Sequence, residues 1–193
     1  MSELKKILIA PDGFKESLKA IEVAKSMEIG VKKVWPKIET KLLPVADGGD
    51  GTMETIIGQS NGKIYNSMVT DPLGRKIVAE WGGIESKNIA VIEIAKSSGL
   101  SLLTEEERNP LITSTRGAGQ LIKEALDLGY KEIIIGVGGS ATNDGGIGML
   151  SELGVKFYNS EKKEIGDGGN ALIDLEYIDT SKLDNRIKVL AFE

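Results

Sequence analysis

Three short stretches place charge or hydroxyls where an apolar run gives way to glycine. Ile7-Leu8-Ile9-Ala10 leads into Pro11-Asp-Gly-Phe-Lys15-Glu-Ser17, and Lys41–Val45 leads into Ala46-Asp47-Gly-Gly-Asp50-Gly-Thr52. Ile133-Ile134-Ile135 leads into Gly136-Val-Gly-Gly-Ser-Ala-Thr-Asn-Asp-Gly-Gly-Ile-Gly-Met149, with six glycines in fourteen residues. Glycine fills no space and costs backbone entropy, so that density points to backbone brought close to a ligand. Gly138 and Gly139 offer close approach, and Ser140, Thr142 and Asn143 offer hydrogen bonds to phosphate or substrate oxygens. Asp144 offers a carboxylate for a proton or a metal, as does Asp47. Lys15, beside the free N–H groups of a helix start, suits a phosphate or a carboxylate. Ser114, in Thr113-Ser-Thr-Arg-Gly-Ala-Gly119, adds a hydroxyl at another helix start. Asp50 reads more simply as a helix cap.

The chain contains neither histidine nor cysteine among its 193 residues. Imidazole bases, thiolate nucleophiles, disulfides and thiolate zinc sites are therefore excluded within it. Acid–base work falls to Asp, Glu, Lys or Tyr, and a metal would be a hard, oxygen-liking one such as Mg²⁺. The net charge of −5 gives no electrostatic case for nucleic acid. No apolar run approaches the roughly 20 residues of a membrane span, and the N-terminus has no signal-peptide core. The cytoplasm is the expected compartment, and a homo-oligomer is compatible with the sequence.

The elements that must position these residues alternate. Strands are expected at Lys6–Ala10, Lys41–Val45, Ile89–Ile94, Lys131–Val137, Val155–Tyr158 and Ile187–Phe192. Helices are expected at Ser17–Val34, from Thr52, from Ser114 or Thr115 to Leu128, and at Gly146–Leu153. Strand–helix alternation argues an α/β fold with a largely parallel sheet. Lys63–Thr70 and Lys76–Trp81, flanking Asp71-Pro-Leu-Gly74, break the alternation as a hairpin. Asp-Gly-Gly recurs at 47–49, 144–146 and 167–169; the first two read as functional and the third as a surface turn.

Gly136-x-Gly138-x-x-Ala141 matches the dinucleotide fingerprint, and Glu161 lies about where a ribose-binding acid belongs. A Rossmann-type NAD-dependent oxidoreductase is therefore one alternative; a non-catalytic nucleotide or sugar-acid binding module is another. No Walker sequence is present, so ATP would be handled outside the P-loop class.

Together these motifs resemble the bacterial glycerate kinase family. The resemblance is carried by Pro11–Lys15, Pro44–Thr52, Asp71-Pro-Leu-Gly-Arg75, Ile92–Ala95 with Ser98-Gly-Leu100, Asn109-Pro-Leu with Thr113–Gly119, and Ile133–Gly148, in family order. Gly13, Glu16 and Asp50 depart from the family's usual Ser, Gly and Glu. The resemblance implies ATP-dependent phosphorylation of D-glycerate, with 2-phosphoglycerate favoured over 3-phosphoglycerate, and Mg²⁺ as the metal. It implies two α/β domains with parallel or mixed sheets, one inserted in the other, about a cleft. Residues 1–65 would be the N-terminal part of a discontinuous Rossmann- or flavodoxin-like domain. Residues 66–193 would be a second, incomplete α/β domain, because the family is about twice this long. Lys15, Asp47 and Asp144 become the expected catalytic residues. Either Asp47 or Asp144 would be the base, and either would ligate Mg²⁺. Arg75, Ser114, Gly138, Gly139, Ser140, Thr142 and Asn143 become the substrate and phosphate contacts.

Overall fold

A βαβ unit opens the chain in the computed structural model, which describes residues 5–14 and 17–187. Strand β1 (Lys6–Ile9) pairs in parallel with β2 (Glu39–Leu42), and helix α1 (Ala20–Val34) crosses between them. The Lys19 N–H donates to the Glu22 carboxylate (2.9 Å), and Lys32 and Lys33 sit in the last turn. Both ends thus suit the helix dipole. Ala20, Val23 and Ala24 are buried, whereas Ile21 and Met27 are exposed. Trp35 ends α1 half-exposed. Strand β2 begins two residues earlier than its apolar run suggests.

Helix α2 (Thr52–Ser60) follows a left-handed Gly51 (φ +91°) and packs against a four-stranded sheet. That sheet is β3 (Lys63–Thr70), β4 (Lys76–Ile84), β5 (Ile89–Glu93) and β6 (Glu132–Gly136), in that order. The expected hairpin is β3–β4. Asp71 closes its turn by accepting the Leu73 and Arg75 N–H groups (2.9 Å each), and Gly74 takes φ +83°. The first two pairings are antiparallel and only β5–β6 is parallel, so this sheet is mixed rather than largely parallel. The reason is local: a four-residue turn returns the chain antiparallel, and only a crossover through a helix restores parallel direction. That crossover holds helix α3 (Ala95–Ser98) and helix α4 (Arg116–Asp127).

Met53 and Ile57 of α2 pack with Ile84 and Val91 on one face. A side chain at Gly82 would strike Ile57 at 2.3 Å, so the helix seats only because that position is glycine. On the other face α4 presents Leu121, Ile122, Ala125 and Leu126 to Val69, Ala90, Ile92 and Trp81. Trp81 is fully buried and stacks on Tyr65 of the neighbouring strand with centroids 4.4 Å apart. Tyr130 meets Trp81 edge-on at 5.5 Å. Helix α5 (Ile147–Glu152) packs on α4 and on an antiparallel pair, β7 (Lys156–Tyr158) with β8 (Tyr177–Asp179). The boundary expected at 65/66 falls inside β3. The strand expected at Ile187–Phe192 lies, after its first residue, outside the described residues. Among the described residues no helix is long and apolar enough to cross a membrane.

Candidate active site

Three strand-to-helix junctions meet along one seam of backbone hydrogen bonds. Ile94 N–H donates to Gly136 O (2.9 Å), Leu100 N–H to Gly139 O (2.9 Å), and Ala141 N–H to Ser98 O (2.8 Å). These join the ends of β5 and β6. Gly138 N–H donates to Gly48 O (2.8 Å) and brings in the loop after β2. The approach is close: a Cβ at Gly138 would lie 2.6 Å from Gly49 Cα, and one at Gly136 would lie 2.7 Å from Gly48 O. The glycines expected to cradle a ligand thus cradle a second glycine loop. Gly139 (φ +73°) faces Ala95 and the Asp50 carboxylate.

The seam backs a cleft of about 1000 Å³ between the β1–α1–β2 unit and the four-stranded sheet. Asp12, Asp47, Asp50, Glu54, Glu93 and Lys96 are among its lining residues, with Lys19 on the far wall. Asp47 is exposed; its Oδ1 accepts Gly49 N–H (2.9 Å), which fixes the turn, and among the described residues no hydrogen bond engages its Oδ2. Asp50 is also exposed, and among the described residues no hydrogen bond or ion pair engages its carboxylate.

Glu93, at the end of β5, is 1% exposed and accepts the N–H groups of Gly51 (3.1 Å) and Met53 (3.0 Å). Helix α2 has no cap from its own N-cap side chain, so Glu93 caps it from 40 residues away. Burial pushes the Glu93 carboxyl above the usual carboxylate range, against the pull of those two N–H groups. Beside it, Lys96 donates to Glu54 (2.9 Å) and lies 3.5 Å from Glu80. Burial pushes Glu54 up, but the Lys96 hydrogen bond and charge, with Lys19 behind, hold it below its ordinary value. Lys96 is held above its ordinary value: burial opposes its charge, and Glu54 outweighs burial.

The other expected site residues lie elsewhere. Asp144 is 1% exposed, and its carboxylate accepts Thr115 N–H (2.9 Å), Thr115 Oγ1–H (2.9 Å), Gly146 N–H (2.9 Å) and Gly148 N–H (3.2 Å). It ties the start of α4 to the start of α5. Ser114 is buried there and accepts Arg116 N–H (3.2 Å). Ser140 and Thr142 share a hydroxyl contact (2.7 Å), and Asn143 is exposed. Arg75 is paired with Asp71 and Glu107. None of these residues, nor Gly138 or Gly139, lines the cleft; of the expected set, Asp47 does. Lys15 lies outside the described residues. The third Asp-Gly-Gly is a turn, with Asp167 exposed and paired to Arg116 (2.8 Å) and Gly168 at φ +86°.

Glu54, Glu93 and Lys96 escaped the sequence reading as site residues. One signal was available: a carboxylate closing the apolar run Ile89-Ala-Val-Ile-Glu93 cannot be buried without donors. A hard cation fits the cleft only in a shared way. Among the described residues no three potential ligands converge, but Mg²⁺ commonly takes one or two carboxylates and completes its shell with phosphates and water. Asp47 and Asp50 suit that arrangement.

A model of the glycerate kinase family matches residues 7–193. The glycerate kinase of Bacillus subtilis (strain 168) is 50% identical over 188 residues, 97% of this chain and 49% of that protein. The glycerate 2-kinase of Escherichia coli (strain K12) is 49% identical over 95% of this chain and 48% of its own length. A crystal structure from Salmonella typhimurium LT2, provisionally named glycerate kinase 2, superposes with a TM-score of 0.83 at 45% identity. It is covered over 50% of its length by 96% of this chain. The chain thus spans about half the length of the curated relatives it matches.

Proposed function

The chain belongs to the glycerate kinase family, and from that premise we propose that it carries the acceptor side of an ATP-dependent phosphorylation of D-glycerate. The product is phosphoglycerate, with transfer to the 2-hydroxyl favoured because the Escherichia coli relative is named a glycerate 2-kinase. The observation that carries this reading is Asp47. It is an exposed carboxylate lining the cleft, with one oxygen tied into its own turn and no hydrogen bond on the other among the described residues, on a loop locked from behind by backbone.

The chemistry asks for little else. A glycerate hydroxyl oxygen attacks the γ-phosphorus, the bond to the β–γ bridging oxygen breaks, ADP leaves, and the hydroxyl proton passes to Asp47. Phosphoryl transfer is chiefly positioning and charge stabilisation, so the absence of histidine is no obstacle. Mg²⁺, when bound with the nucleotide, neutralises developing phosphate charge, and Asp50, with Asp47 as the alternative, is the carboxylate that would hold it. Asp144 serves as an anchor, since its oxygens already accept four donors. Gly138 and Gly139 set the loop rather than touch phosphate. Lys15 remains the proposed anion contact of the loop after β1.

The test is a coupled ADP-release assay with D-glycerate, ATP and Mg²⁺. It is run on this chain and on a hybrid in which the chain replaces the aligned half of the Bacillus subtilis relative. Turnover that disappears on Asp47→Asn is the expected result. No turnover in either protein, or turnover indifferent to Asp47, defeats the reading.

A further inference from the structure

We propose that Lys19 and Lys96 form an oxyanion clamp across the cleft, and that Glu54 is the internal carboxylate with which an incoming oxyanion competes. Among the described residues lining the cleft there are seven carboxylates but only two lysines. The lysines come from opposite walls. Lys19 immediately precedes α1, in the β1–α1–β2 unit, and Lys96 lies on α3 beyond the end of β5. One oxygen connects them: Glu54 Oε1 is 2.9 Å from Lys96 Nζ and 3.9 Å from Lys19 Nζ.

The other oxygen carries the argument. Glu54 Oε2 is buried with no hydrogen-bond partner among the described residues. A carboxylate has about four acceptor sites, and leaving a buried one unfilled costs its desolvation. Glu54 is thus a poor resident between two ammonium groups. A ligand carboxylate or phosphate, with oxygens arranged to reach both, would replace its one adequate contact. Lys96 has donors to spare, since its second neighbour, Glu80, stands at 3.5 Å and is 43% exposed. The clamp deepens the kinase reading and rests on the same cleft, because a carboxylate and a phosphate are what the two proposed substrates would bring.

A plain structural tie between α2 and α3 predicts something different. In that case losing either partner loosens the cleft, and both substitutions weaken binding. Competition gives opposite signs. The experiment is isothermal titration of the 193-residue chain with inorganic phosphate and, separately, with D-glycerate. Lys96→Met is expected to weaken binding about tenfold, the usual scale of one charge-assisted hydrogen bond. Lys19→Met, at a 69% exposed side chain that can be lost without disturbing the fold, is expected to weaken it about threefold. Glu54→Gln is expected to tighten it severalfold. Asp12→Asn removes a cleft charge paired with neither lysine and is expected to do less. Response to phosphate alone assigns the clamp to the nucleotide, and response to glycerate alone assigns it to the acceptor. No binding of either anion at millimolar concentration overturns the clamp. So does weakening by Glu54→Gln, or tightening by Asp12→Asn equal to that of Glu54→Gln. Binding is read without turnover, so a working clamp in a protein that fails the kinase assay leaves the clamp standing and removes the kinase reading.

Discussion

The Asp-Gly-Gly triplets at 47–49 and 144–146 are identical in sequence and opposite in environment. Asp47 is exposed, accepts one backbone N–H and opens onto the cleft. Asp144 is buried, accepts four donors from two helix starts and does not line the cleft. The difference comes from what surrounds them. Among the described residues the Asp47 carboxylate is bonded only within its own turn, whereas Asp144 is enclosed by Thr115 on one side and Gly146 and Gly148 on the other. A motif therefore specifies a local turn; the partners that long-range packing supplies decide whether its carboxylate is left exposed at the cleft or buried as an anchor.

Substitution can break that contrast. In the hybrid enzyme, Asp47→Asn is expected to lower kcat about a thousandfold, the scale of a lost general base, with an unchanged melting temperature. Asp144→Ala is expected to destabilise the chain by about 3 kcal/mol, since two buried and one part-buried N–H groups lose their acceptor, and to lower Tm by about 10 °C. If Asp144→Asn keeps its Tm and loses turnover as Asp47→Asn does, the two triplets do the same job and the contrast fails.

Gly138→Ala sharpens the comparison from behind. Its Cβ would meet the Gly49 backbone at 2.6 Å, so overpacking of about 2 kcal/mol is expected, with a fall in kcat as the Asp47 loop shifts. Gly166→Ala, where nothing lies within 4 Å, is the matched control. The smallest effect concerns Glu93. Its carboxyl is raised by burial, so its contribution to stability is fully present below about pH 4.3, the unfolded value. That contribution is lost as pH rises through the higher folded value. Thermal melts from pH 4 to pH 8 should show this loss in the parent chain and not in Glu93→Gln.

Elements are legible in the sequence where pattern and punctuation agree. Strand β3 lies as expected, β4 starts as expected and runs three residues further, and helix α4, followed by Gly129 at φ +93°, lies within two residues of expectation. Within the apolar run of β6, Ile134 is 42% exposed because β6 stands at the end of its sheet among the described residues. The glycines of 136–139 were legible as a place of close approach, but what approaches, the Gly48–Gly49 backbone, was not. Glu54, Glu93 and Lys96 converge only because α2 packs across one face of β4 and β5. No local spacing encodes that meeting.

The two tryptophans stand one in each layer and in unlike surroundings. Trp35 closes α1 at the solvent edge of the first unit, 49% exposed, while Trp81 is sealed under Tyr65 and Tyr130 in the second. Their emission should therefore differ in colour and in access to a soluble quencher. With phenylalanine placed at either position in turn, the remaining indole becomes a private reporter for its own side of the cleft. Coincident denaturant transitions for the two reporters would mean that both walls melt as one body. Separate transitions would mean that the first unit can come loose while the four-stranded sheet persists.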